Sequence, residues 1–110
     1  MNKKIRLLVM NGQKLLESQN NDSWQVDGVE RSTPLKCGVY NLFNCIEAEP
    51  TEVYHGRVVH VDELYVYQQI DNKFVRHDKE TLGQSVSTGD TVTISQGLCN
   101  EVGYMEQMRG

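Results

Sequence analysis

The sequence predicts a mainly β fold: one small domain built on a strongly bent antiparallel sheet or a small barrel, with little helix. Three observations carry this. Short runs of β-branched and aromatic residues recur, densest in Val58-Val59-His60-Val61, Leu64-Tyr65-Val66-Tyr67 and Phe74-Val75-Arg76-His77. Turn-forming pairs punctuate the runs, among them Asn11-Gly12, Asp27-Gly28, Asp71-Asn72 and Gly89-Asp90, residues that accept the left-handed backbone angles of tight turns. No stretch sustains the 3.6-residue period of an amphipathic helix.

Taken in order, the apolar run from Ile5 to Met10 is a first strand, and Asn11-Gly12 turns it back. Gln13 to Ser18 then returns as a second strand, with Leu15 and Leu16 on opposite faces. A helical turn around Lys14 to Glu17 competes, because Lys, Leu and Glu favour helix. Gln19 to Ser23 is a polar turn, and Trp24-Gln25-Val26 a short strand ended by Asp27-Gly28. Trp24 belongs to the core or its edge, since Trp is highly buried on average, with a surface stacking platform as the alternative.

After Pro34 to Gly38, the alternation Val39-Tyr40-Asn41-Leu42-Phe43 reads as a strand. Asn44 to Glu52, with Glu47, Glu49 and Glu52, is acidic and aperiodic, and reads as an exposed connection or a poorly packed turn of helix. The three central runs form a meander whose second and third strands are joined at Asp71-Asn72. Asp78 is placed to cap a short helical turn over Lys79 to Leu82. Gly89-Asp90 feeds a strand with Val92 and Ile94 on one face. Glu101 to Tyr104 reads as a last edge strand, and residues 105–110 as a frayed tail.

A chain of 110 residues forms one domain with its own core. Eleven basic residues against fifteen acidic ones, net −4, argue against coating nucleic acid, which needs a basic face. There is no apolar run of membrane-spanning length. The N-terminal Lys3, Lys4 and Arg6 precede apolar residues only from Leu7 to Met10, too few for a secretory leader, so a basic-started strand is the reading. Cys37, Cys45 and Cys99 are odd in number and lack CxxC spacing, as expected of free thiols in a reducing cytoplasm.

Candidate chemistry concentrates between His55 and Asp78. His55, His60 and His77 with the cysteines supply soft donors, but no pair has zinc-site spacing, so no metal is expected. His60 and Asp62 stand two apart on a strand, where a carboxylate can orient an imidazole. With Asp78 they form a polar patch. No activated nucleophile accompanies them, so an enzyme or metal protein around His60, Asp62 and His77 ranks third among the readings. Glycine-rich phosphate cradles are missing, and no cofactor is expected. Tyr65, Tyr67, Phe74, Arg76 and His77 lie on adjacent strands of the predicted hairpin. Such a face suits either base stacking with single-stranded nucleic acid or, with Gln68 and Gln69, a protein contact. The acidic net charge favours protein, with Tyr65, Tyr67, Gln68, Gln69, Arg76 and His77 as the binding residues.

Several pieces resemble the KfrB-like family. They are Leu8 to Gln13, Trp24, Pro34-Leu35-Lys36 and Gly38 to Leu42, then Gly56, Val59-His60-Val61-Asp62, Val66-Tyr67-Gln68-Gln69, Val75 with His77-Asp78, and Gly89 with Val92 and Ile94. The likeness runs in order from about residue 7 to 94, and VYQQ followed by VxHD is its most specific part. Cys37 stands where a turn residue is expected, and the acidic segment from Glu47 to Glu52 lacks the family's lysines. The resemblance implies a cytoplasmic, non-enzymatic accessory module of a conjugative plasmid or integrative element, engaged in plasmid maintenance or transfer. Its implied partner is another protein, such as a KfrA-like coiled-coil DNA-binding protein or a transfer protein. No catalytic residues carry over.

Overall fold

The computed structural model describes residues 4–82, 85–95 and 98–102, with backbone alone at residues 20 and 98–102. The chain divides into two compact units, Met1–Asn44 and Cys45–Gly110. Mainly β structure is the outcome, organised as two sheets.

The first unit holds β1 (Lys4–Met10), β2 (Gln13–Asn20), β3 (Ser23–Glu30) and β4 (Gly38–Tyr40), ordered β3-β2-β1-β4. Asn11 and Gly12 both take positive φ, 54° and 75°, which the twist of a two-residue hairpin demands. The strand therefore prevails over the helical turn for Gln13 onward. A second tight turn places Asn21 at φ 62°.

Two boundaries differ from the sequence reading. Asp27-Gly28 does not end β3; the ladder shifts register there, pairing Leu16 with Gly28 and Glu17 with Val26. The extra residue is taken up as a bulge, so the strand continues to Glu30. The strand expected over Val39 to Phe43 stops at Tyr40, and Leu42–Asn44 forms a 3-10 turn. The Asn44 N–H donates to the Asn41 carbonyl at 3.1 Å, closing that turn.

One face of this sheet carries the buried Leu7, Val9, Lys14, Ser18 and Tyr40. On the other, the Arg6 guanidinium lies 4.0 Å over the Trp24 ring and Nε donates to Glu17 at 2.7 Å. Trp24 is half-buried on this second face, with the Phe43 ring at a centroid separation of 6.0 Å.

The second unit holds β5 (Ile46–Glu47), β6 (Val53–Val61), β7 (Tyr65–Ile70), β8 (Lys73–Asp78), β9 (Thr91–Ser95) and β10 (Leu98–Val102), ordered β10-β9-β6-β7-β8-β5. The expected meander is β6-β7-β8, with Asp71 at φ 56° in the hairpin turn. The acidic segment is more ordered than its composition implied. Ile46 and Glu47 pair in parallel with Val75 and Arg76, and the Ala48 N–H donates to the Arg76 carbonyl. Short as it is, this strand satisfies backbone groups that the edge of β8 would otherwise expose.

Asp78 caps the 3-10 turn Lys79–Thr81, accepting from the Glu80 N–H at 3.1 Å. Val58, Val66, Leu82, Val92 and Ile94 form the core cluster, with Val61 and Val86 against it. Of the last strand expected over Glu101 to Tyr104, Glu101 and Val102 belong to β10, while residues 103–110, including the tail at 105–110, lie outside the described residues.

Candidate functional site

Cross-strand register decides which side chains meet. Val58 pairs with Gln68 and Gln68 with Val75, while Val66 pairs with His77, so these residues share the core face. Alternation extends that face along β6 to Gly56 and Tyr54. Gln68 is fully buried there. Its amide nitrogen donates to the carbonyls of Gly56 at 3.0 Å and Val92 at 3.1 Å. Carbonyls only accept, so the amide orientation is unambiguous and Oε1 must face the other way. It meets His77 Nε2 at 2.8 Å, which makes Nε2 the protonated nitrogen of a neutral imidazole. Burial pushes the His77 pKa down to about 4. Its other nitrogen, Nδ1, is buried without a hydrogen-bond partner among the described residues, and Tyr54 meets the ring edge-on at a centroid separation of 5.3 Å.

The opposite face of the same strands carries a ladder of rings. His60 pairs with Tyr67 and Tyr67 with Arg76. The His60 and Tyr67 centroids are 5.8 Å apart, those of Tyr65 and Tyr67 6.3 Å. The Arg76 guanidinium sits 4.1 Å over the Tyr65 ring and forms an ion pair with Glu47. Tyr65 and Arg76 are half-buried, and Glu47 is exposed. Tyr67 is 4% exposed and its phenol is held protonated well above its ordinary range, chiefly by burial.

Three of the six residues expected to offer contact surface are therefore inside: Tyr67, Gln68 and His77. The assumption behind their exposure was that one side of the central hairpin faces solvent. Here both faces of β7 are covered at its middle, with Val66, Tyr67 and Gln68 buried in succession. Strand β6 does the same at Val58, Val59 and His60, aided by a register shift between Val58 and His60. Tyr65, Gln69 and Arg76 keep partial exposure, as does Phe74. The polar patch is dispersed. Asp62 Oδ1 accepts from the backbone N–H groups of Leu64 and Tyr65 at 2.9 and 2.8 Å, holding the β6–β7 turn, whereas Asp78 caps and His60 is buried against Tyr67. Among the described residues no three His, Cys, Asp or Glu side chains gather as a metal site would require.

Beside His77 the second unit opens a cavity of about 280 Å³ lined by Glu47, Glu49, Pro50, Tyr54, His77 and Asp78, among others. The Tyr54 hydroxyl accepts from the Glu49 N–H at 2.9 Å, which ties the acidic segment to β6. Tyr54, Glu47 and Glu49 escaped the sequence reading. The signal for Tyr54 was the two-residue alternation through Gly56 to Val58. The glutamates had no local signal, because a two-residue parallel strand has no periodicity to detect.

Residues 53–96 match the family model described as KfrB Domain. The span opens with β6 and runs past β9, and so includes Tyr54, the Gln68–His77 pair and the Tyr65–Arg76 contact. The N-terminal part of the resemblance, with Leu8 to Gln13 and Gly38 to Leu42, lies outside it. No curated protein matches the chain.

Proposed function

We propose that this chain is a non-enzymatic accessory module of a mobile genetic element, cytoplasmic, which acts in plasmid maintenance or transfer by recognising another protein. The observation that carries the reading is the match of residues 53–96 to the KfrB domain. Geometry supports recognition over chemistry. The carboxylates that sequence set beside the histidines are engaged with backbone N–H groups at Asp62 and Asp78, and His77 is bonded to Gln68 in the core. What faces outward is Tyr65 with Arg76 and Glu47, an aromatic and an arginine held in place by each other, the residue types that anchor interfaces. A KfrA-like coiled-coil protein or a transfer protein is the kind of partner the family resemblance implies.

The same contact weighs against the nucleic-acid alternative, because Arg76 already covers one face of the Tyr65 ring that a base would stack on. Affinity capture from cells carrying the parent element tests the reading. Protein partners should survive nuclease and be lost with Tyr65→Ala plus Arg76→Ala. Partners that vanish on nuclease treatment, or retained nucleic acid, would overturn it.

A further inference from the structure

We propose that the outer edge of β3 docks a second copy of this chain, the two β3 strands pairing antiparallel about a two-fold axis at Val26. This surface belongs to the first unit, outside residues 53–96, and is independent of the recognition reading above. The sheet of that unit ends at β3, which among the described strands pairs with β2 alone. Its other edge is blunted by length, since β4 has three residues. By contrast β3 runs for eight, Ser23–Glu30, with no proline or lysine among them, residues that commonly guard an edge. Its apolar side chains are open, Val26 being 50% exposed and Val29 55%.

The pattern of the strand itself points to a second copy. Trp24, Val26 and Val29 share one face, because they pair with Gln19, Glu17 and Leu15 of β2. Ser23, Gln25, Gly28 and Glu30 share the other, and Asp27 is the extra residue of the bulge. Residues directly opposed in an antiparallel pair lie on the same face. With Val26 on the axis, every opposed pair meets that condition. Trp24 comes opposite Val29 of the second copy, Gln25 opposite Gly28, and Ser23 opposite Glu30, each twice by symmetry. An apolar row crosses the four strands through Val39, Leu8, Leu15 and Val29. In the pair it runs on into Trp24 of the second copy.

The charges at the ends agree. One step beyond the ladder, Asp22 comes opposite Arg31 of the second copy. Both are exposed, and neither has an ion pair among the described residues. The two Asp27 carboxylates flank the axis and repel. They are exposed, so water and salt screen that repulsion.

The test is sedimentation velocity of the intact chain, read beside the emission of Trp24, its only tryptophan. A single strand ladder is a small interface, so the series spans about 10–500 μM. A monomer–dimer equilibrium is expected, with the emission moving to shorter wavelength as dimer forms. Val26→Lys sets two ammonium groups together on the axis and should leave only monomer. Arg31→Asp and Asp22→Arg should each weaken the dimer about threefold or more, as loss of exposed ion pairs does. The two together should restore it, a rescue that unfolding of a variant could not produce. Monomer at every concentration, a dimer untouched by Val26→Lys, or a double variant no tighter than either single one would overturn the assignment.

Discussion

Gln68 and His77, nine residues apart on neighbouring strands, hold each other in single hydrogen-bonding states at 2.8 Å in the core of the second unit. Two backbone carbonyls on β6 and β9 orient the amide, the amide selects the imidazole tautomer, and the remaining imidazole nitrogen stays buried. Four strands, β6 to β9, are thereby tied together by one side chain. Buried bonds of this kind rigidify the core, and stranding one of their members is costly.

Removing the amide should show this. Gln68→Leu deletes the donor to Gly56 and Val92 and leaves His77 Nε2–H without an acceptor. A loss on the order of 3 kcal/mol is expected from stranded buried polar groups, read as a lowered urea midpoint with an unchanged slope.

Acid should act through His77. Its folded pKa is depressed to about 4 by burial, below the ordinary 6.5, so the unfolded chain takes up the proton first. The contribution is complete above about pH 6.5 and is lost progressively as pH falls toward 4, amounting to about 3 kcal/mol. An NMR titration should place the ring midpoint near 4; a midpoint near 6.5 would mean the ring is solvated.

The two tyrosines of β7 should separate folding from recognition. Tyr67→Ala empties a buried site and should cost about 3–5 kcal/mol. Tyr65→Ala removes only a half-exposed ring under Arg76 and should cost about 1 kcal/mol, while lowering capture of the partner. Thermal melts of both variants beside the capture assay check this.

Gly56 tolerates no side chain. A Cβ built there would overlap the backbone carbonyl oxygen of Gln69 and press on Ile70. Backbone cannot rotate aside as a side chain can, so Gly56→Ala should destabilise by about 3 kcal/mol through overpacking between β6 and β7. Gly28→Ala, where nothing lies within reach of the added atom, is the matched control and should melt within a few degrees of the parent.

Much of this chain was legible in local order. Turns at Asn11-Gly12 and Asp71-Asn72 announce themselves because they need positive φ. The pairing of β6, β7 and β8 follows from β-branched runs at hairpin spacing, and Asp78 was readable as a cap from its place before Lys79. The VYQQ and VRHD pieces carried the family likeness that residues 53–96 bear out. These are interactions between residues close in sequence, where propensity and spacing have direct consequences.

Exposure and partnership were decided elsewhere. Nothing in the alternation of β7 tells that both its faces are covered, since burial of the second face depends on chain far away in sequence. Glu47 meets Arg76, and Glu49 meets Tyr54, only because the acidic segment lays a two-residue parallel strand along β8. His77 becomes a neutral acceptor only because Gln68 is oriented by carbonyls of two other strands. Local residue order sets where the chain turns and which runs extend; folding settles which polar groups are spent in the core and which still face outward, because hydrogen bonding and desolvation depend on neighbours that only the folded chain supplies.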